Sequence, residues 1–156
     1  MRYLLPVVLL LLTLSLSLHG QEMELEGIRD VVVIPFHSNE GDEYISDVVT
    51  AYLRNALIFM DDALTDTPYV LKAMDWRGLK KGDKVSLEDA VEIGKKLNAT
   101  TIYFGDIKKS GKSYTIHLTK AIPETGEIIF SKEKVADDLY LISRKIDEIL
   151  GLSPDS

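Results

Sequence analysis

The chain of 156 residues contains no cysteine. That absence excludes a disulfide framework, a thiol nucleophile and a thiolate metal site. It also excludes a lipid anchor on a cysteine following a leader. Histidine is nearly as scarce, with only His19, His37 and His117. None forms a His-x-x-x-His pair or sits beside a paired carboxylate, so the three or four converging ligands of a metal site are not encoded locally. Basic charge is in the minority, 18 Lys and Arg against 25 Asp and Glu, for a net charge of −7. An acidic surface repels phosphate backbones and gains little from counterion release, which argues against nucleic acid as a partner. The same charge favours solubility and suits a basic partner. Internal repeats, linkers and low-complexity tracts are missing too, so one domain is expected.

What the chain does have begins at its amino terminus. Arg2 precedes an apolar run from Tyr3 to Leu18, interrupted only by Pro6 and by Thr13, Ser15 and Ser17. One positive charge, an apolar centre and a small-residue exit (Ser15-Leu16-Ser17, or Gly20 beyond) read as a secretory signal peptide over residues 1–20. A spanning helix needs roughly 20 apolar residues, and this run falls short. An acidic segment, residues 21–30, follows at once and suits the outer side of a membrane. Cleavage is expected between Leu18 and Glu22. An uncleaved anchor is the alternative, and membrane contact is expected only in that case. The expected location is therefore across the inner membrane, periplasmic or envelope-associated. After cleavage about 135 residues remain, enough for one domain with a sizeable core. The loss of Arg2 takes the 18 basic residues to 17 against 25 acidic ones, a net charge of −8.

Residues 31–151 read as that domain, with 152–156 as a tail. Val31-Val32-Val33-Ile34-Pro35-Phe36 lacks alternation and predicts a central strand buried on both faces. Ile45, Val48, Val49, Tyr52, Leu53, Ala56, Leu57 and Met60 recur at three- and four-residue steps, the stripe of a helix about four turns long. Asp42 or Ser46 is the expected cap. After Pro68, Tyr69-Val70-Leu71 predicts a short second strand. Ser86 and Asp89 form a capping-box variant for a second helix, which carries Leu87, Ala90, Val91, Gly94 and Leu97 inward. Lys95 and Lys96 suit its last turn and Asn98 the left-handed turn beyond. Thr100 to Ile107 and the alternating Ser113 to Thr119 read as strands three and four. Pro123-Glu124-Thr125-Gly126 is a turn, and Glu127 to Lys134 returns as strand five. A last helix presents Leu139, Ile142, Ile146, Ile149 and Leu150 and stops at Gly151. The expectation is an α/β (α+β) domain with a mixed five-stranded sheet in two or three layers, in the order β-α-β-α-β-β-β-α.

Two stretches carry a family resemblance. The strand ending Ile34-Pro35-Phe36, the helix after it, and the run from Ala90 through Gly94 and Asn98 to Ile107 resemble the TolB amino-terminal domain superfamily. Leu118 to Glu127, with its Thr125-Gly126-Glu127 corner, is similar to that family's strand and turn. The resemblance covers roughly Val31 to Ile149. It implies an envelope protein that works by contact rather than catalysis. The wider group includes the TolB domain that engages inner-membrane partners, activator lipoproteins of penicillin-binding proteins, and the curli-secretion lipoprotein. This chain is expected to depart from them in having no propeller after Ile149, no lipid-bearing cysteine and no membrane-spanning hairpin insertion.

The remaining motifs are weak as chemistry. Gly105 to Gly111 with Lys112-Ser113 suggests a phosphate loop, but five residues separate the glycines and a strand follows, so a basic hairpin loop fits better. Asp61-Asp62, Asp66 and Asp137-Asp138 lie in polar stretches flanking helices rather than facing one another as glycosidase acids do. Asn98-Ala99-Thr100 matches a glycosylation sequon but sits at a helix-to-strand junction. In His37-Ser38-Asn39-Glu40-Gly41-Asp42-Glu43 a Ser-His-carboxylate set is conceivable, yet adjacent residues of an extended loop point apart. No catalytic residue, cofactor or metal is therefore expected. That loop leaves the carboxyl end of a buried strand, where open α/β sheets place ligand crevices. Trp76 and Arg77 belong to the residue types most enriched at binding hot spots. The candidate partner contacts are accordingly His37, Asn39, Glu43, Trp76 and Arg77, on a non-enzymatic module that meets an envelope protein. The alternative is a carrier of a small ligand or lipid. The two differ in that a carrier needs a large dry cavity, whereas a module has a filled core.

Overall fold

The computed structural model describes residues 30–60 and 62–152. The leader, nearly all of the acidic segment 21–30 and the end of the tail lie outside the described residues. In chain order the elements are β1 (Val31–Val33), β2 (His37–Ser38), α1 (Glu43–Phe59), α2 (Thr67–Trp76), α3 (Leu87–Lys96), β3 (Thr101–Ser110), β4 (Ser113–Ile122), β5 (Glu127–Ala136) and α4 (Ile142–Leu150). A 3₁₀ turn, Leu139–Leu141, leads into α4.

The sheet runs β1-β3-β4-β5, with β2 also pairing β3. β1 and β2 lie parallel to β3, because helices separate them in sequence, whereas β3-β4 and β4-β5 are antiparallel hairpins. This is the mixed α/β fold with five strands that the sequence predicts. It has three layers. Val31, Val33 and Phe36 face a core shared with α1 and α4, and Val32 and Ile34 face a second core shared with α2 and α3. The unalternating valine run is thus explained by burial on both faces.

Two local expectations need correction. Tyr69-Val70-Leu71 is helical, inside α2, and not a strand. Pro68 stands in the first turn of that helix, where its missing N–H costs nothing, and Val70, Ala73 and Met74 form the buried stripe. The chain does return to the sheet beside β1, but earlier and only as a bridge. Leu64 pairs with Val31, through Val31 N–H to Ala63 (3.1 Å) and Thr65 N–H to the Val31 carbonyl (2.8 Å). β1 is therefore the last full strand on its side of the sheet rather than a central one, and Leu64 covers its outer edge.

Pro35 splits the first strand in two. It has no N–H for the ladder, and five residues from Val33 to His37 oppose four from Tyr103 to Asp106. Helix α1 satisfies the backbone at this bulge. Thr50 Oγ1 accepts from Phe36 N–H (3.0 Å), and the buried Ser46 hydroxyl donates to the Phe36 carbonyl. Ser46 thus joins helix to strand and is no cap. Asp42 occupies the cap position of α1 without a side-chain cap bond. The Ser86 cap of α3 is present, with Asp89 N–H donating to Ser86 Oγ (3.1 Å) and the Ser86 hydroxyl donating to the Asp89 carboxylate (2.7 Å).

Candidate functional site

The bulge at Pro35 places β2 so that its carboxyl end opens between the start of α1 and the loop joining α2 to α3. A cleft of about 410 Å³ lies there, lined by residues of β2 and the loop after it (His37, Ser38, Glu40), the first turns of α1 (Glu43, Ser46, Asp47) and the distant loop (Lys81, Gly82, Asp83). Two contacts tie its walls together. His37 Nδ1 donates to the Gly82 carbonyl at 2.7 Å, which fixes the tautomer. Lys81 Nζ meets Asp47 Oδ1 at 2.7 Å.

The carboxylates in this cleft have separate roles. Glu43 stands at the first position of α1 and accepts from Gly41 N–H (3.1 Å). Hydrogen bonds from its own backbone N–H and then from Gly41 hold its carboxyl below the usual carboxylate range. It also answers the partial positive charge of the helix end. Asp83 accepts from Lys80 N–H (2.7 Å), closing the turn that carries Gly82. Glu40 is exposed.

The five sequence-derived contact residues divide into two places. His37 and Glu43 meet in the cleft. Asn39 is exposed at the turn beside it, its carbonyl accepting from Asp42 N–H (3.1 Å). Trp76 and Arg77 lie outside the lining. Trp76 is the last residue of α2 rather than part of a loop, and it is 54% exposed with Lys96 Nζ 5.1 Å from its ring centroid. Arg77 is held at the start of α3, with Nε 2.8 Å from Asp89 and a terminal nitrogen 3.0 Å from Glu88. The Asp89 bond is the main cause that raises its guanidinium pKa further. Arg77 thus ties α2 to α3.

Sequence reasoning missed Lys81, Gly82 and Asp83, which lie some forty residues along the chain in a loop without periodicity. It also missed a row across the open half of the sheet. His117 Nε2 lies 2.8 Å from Ser131 Oγ, and Nδ1 lies 3.4 Å from Asp106 Oδ2. The order is that of a serine-hydrolase relay, and the hairpin register aligns Asp106 with His117 and Thr119 with Ser131. Two features count against catalysis. The Asp106 contact is long for a hydrogen bond. The ladder also holds backbone N–H groups in the plane of the sheet, so none is aimed at an oxyanion above Ser131. The Gly105–Ser113 segment runs through the β3-β4 hairpin and forms no phosphate cradle. Among the described residues no group of three or more His, Asp or Glu is arranged to hold a metal ion.

A wider depression of about 600 Å³ lies at the other end of α3, lined by Lys95, Asn98, Thr100, Pro123 and others. It is open to solvent and gathers no cluster of like charge, so the β2 cleft is the stronger candidate.

No protein-family model matches the sequence, and no curated protein matches it. Solved structures do. LpoB of E. coli is similar over 69% of this chain and 55% of its own, at 21% identity and a TM-score of 0.58. The present chain therefore corresponds to little more than half the length of that protein. The LpoB C-terminal domain from Salmonella enterica matches over 75% of this chain and 90% of its own, at 18% identity and a TM-score of 0.55. Lipoprotein GNA1162 from Neisseria meningitidis matches over 77% and 95%, at 10% identity and a TM-score of 0.56. The fold of this chain is thus the fold of these proteins.

Proposed function

We propose that this chain is an exported, non-enzymatic interaction module of the bacterial cell envelope, an adaptor or accessory subunit of an envelope assembly. The observation that carries this reading is the filled core. β1 and β3 are packed on both faces, with Ile34, Phe36, Leu53, Met74, Ile93 and Ile116 fully buried. The two clefts are open at the surface, unlike the enclosed apolar cavity a lipid carrier needs. Large apolar side chains nevertheless stand out in solvent, notably Phe59 at 89% and Trp76 at 54% exposure. Exposed aromatic residues on a rigid frame suit contact with another protein. The fold neighbours support the same setting, since one is described as a lipoprotein. Among the described residues no helix is long and apolar enough to cross a membrane.

In this reading residues 1–20 are the leader, 21–30 a polar spacer, 31–151 the working domain and 152–156 its tail. The partner is an envelope protein, met by the His37–Glu43 loop and by the Trp76 end of α2. The test is crosslinking and affinity capture from intact envelopes. Trp76→Ala and the double variant His37→Ala, Asn39→Ala should each fold normally and capture less of the partner. If both capture as much as the parent, this surface is not the contact. Amino-terminal sequencing of the exported protein should begin between Leu18 and Glu22, and a start at Met1 indicates a retained anchor instead.

A further inference from the structure

The outer face of α1 is unlike that of the other helices. Each residue of a helix turns the chain by about 100°. Tyr44, Val48, Ala51, Tyr52, Ile58 and Phe59 therefore fall within one arc of about 120°, opposite the buried Val49, Leu53 and Leu57. Asn55 is the one other member, and no charged residue enters the arc over about 22 Å of helix. Glu43, Asp47 and Arg54 stand together along one flank. The ordinary arrangement is that of α3, whose Glu88, Lys95 and Lys96 are exposed. A helix apolar on both faces is normally covered on both. Yet Phe59 is 89% exposed, Ile58 55%, Tyr44 52% and Tyr52 40%, and no described element covers them.

The pattern of the stripe selects a second copy of the chain as its cover. It is close to symmetric about the point between Ala51 and Tyr52, since Tyr44 and Phe59 lie equally far from that point, as do Val48 and Asn55. Two α1 helices set antiparallel, with a two-fold axis through the point, bring Tyr44 onto Phe59 of the second copy. They also fit each Tyr52 against the small Ala51 of the other copy. The flank agrees in charge. Such an axis keeps the flanks of both helices on one side, so Asp47 of one copy comes beside Arg54 of the other. Arg54 donates to the Thr65 carbonyl (3.2 Å), and its guanidinium has further N–H donors to give. The area sets the strength. An aromatic side chain carries on the order of 200 Å², so the exposed stripe offers on the order of 500 Å² per copy. A stable interface takes about 800 Å² a side. The pairing is therefore weak and concentration-dependent.

We propose that two copies of this chain pair through the outer face of α1, antiparallel, with the two-fold axis between Ala51 and Tyr52. The proposal goes beyond the envelope-contact reading and does not rest on it, because the pairing needs no other protein.

Sedimentation equilibrium of the purified exported protein should show a mass that rises with concentration, from monomer at about 1 µM towards dimer at about 500 µM. Tyr52→Arg sets two like charges at the axis and should raise the dissociation constant about tenfold or more. Phe59→Ala should raise it about threefold. Both positions are exposed, so both variants should keep the parent's circular dichroism and melting temperature. The chain has no cysteine, so a single introduced one reports alone. Ala51→Cys, beside the axis, should link two copies on oxidation. Phe59→Cys should not, because its two copies lie about 22 Å apart along an antiparallel pair and a disulfide spans at most about 7 Å between Cα atoms. A monomer at every concentration, or a dimer that both variants leave intact, overturns the proposal. Linking through Phe59→Cys in preference to Ala51→Cys overturns it too, because the helices then lie parallel. A monomeric parent whose envelope capture is lost on Tyr52→Arg overturns it in favour of the envelope partner as the cover of this face. A parent that dimerises as described but captures nothing from envelopes removes the module reading alone.

Discussion

At single positions, close approach matters more here than residue type. Gly105 lies on β3 where a Cβ would overlap the backbone carbonyl of His117 and press on the Phe36 ring. Neither can yield easily, because the carbonyl belongs to the β3-β4 ladder and Phe36 is fully buried. Ser46 is the contrasting case, a buried hydroxyl whose whole role is one bond to the Phe36 carbonyl. Removing it costs about 1–2 kcal/mol for the unsatisfied acceptor. Overpacking against backbone at Gly105 should cost more, about 2–4 kcal/mol. Urea midpoints of Gly105→Ala and Ser46→Ala should therefore fall in that order, with Gly105→Ala the less stable. The reverse order would mean that the sheet relaxes around an added methyl, contrary to the geometry at His117.

Whole elements were readable from sequence where one periodicity ran long enough. The stripe from Ile45 to Leu57 gave a seventeen-residue helix, and the alternation from Ser113 to Thr119 gave β4. Tyr69-Val70-Leu71 misled because three residues of strand-favouring type cannot distinguish two periods. The deciding signal lay further on, in Ala73 and Met74, which complete a helical stripe with Val70. The site was half legible. The rule that crevices open at the carboxyl ends of parallel strands located His37 and Glu43, but nothing local linked them to Lys81 or Asp83, which arrive only through tertiary folding. The Ser86 cap of α3 was readable where the cap of α1 was not, and it makes a test. The Ser86 hydroxyl is the leading cause, ahead of Arg77, that holds the Asp89 carboxyl below its usual value. A carboxyl depressed in the folded state gives stability that is present above its unfolded value and is lost as pH falls through the folded one. Glu148, depressed mainly by its bond to Lys145, acts in the same direction. Stability should thus decline below about pH 4. Ser86→Ala should lose about 1 kcal/mol at neutral pH and decline less steeply in acid. Thermal melts of both proteins between neutral pH and acid check the two slopes, and equal slopes would remove Asp89 from the account.

Taken whole, the molecule spends its apolar residues on two separate cores, one on each side of a single sheet, and that division bears on what it can bind. The core beneath α1 and α4 runs from Val31 to Ile149, and the core beneath α2 and α3 from Val32 to Ala121. The helix α3 lies close on the turn after β4, since a Cβ at Gly94 would overlap the Pro123 ring. An acyl chain could enter only by parting helix from sheet and exposing side chains such as Met74 and Ile93, which are wholly buried. A fluorescent fatty acid should therefore show no saturable binding, and the melting temperature should stay where it is at any concentration below micelle formation. The contrast is large enough to read. A ligand held by the folded state at a hundred times its dissociation constant adds about 2.7 kcal/mol, which for a domain of this size raises the melting temperature by on the order of ten degrees. A shift of that size would mean that the two cores open to admit a ligand, and the carrier reading would replace the contact module.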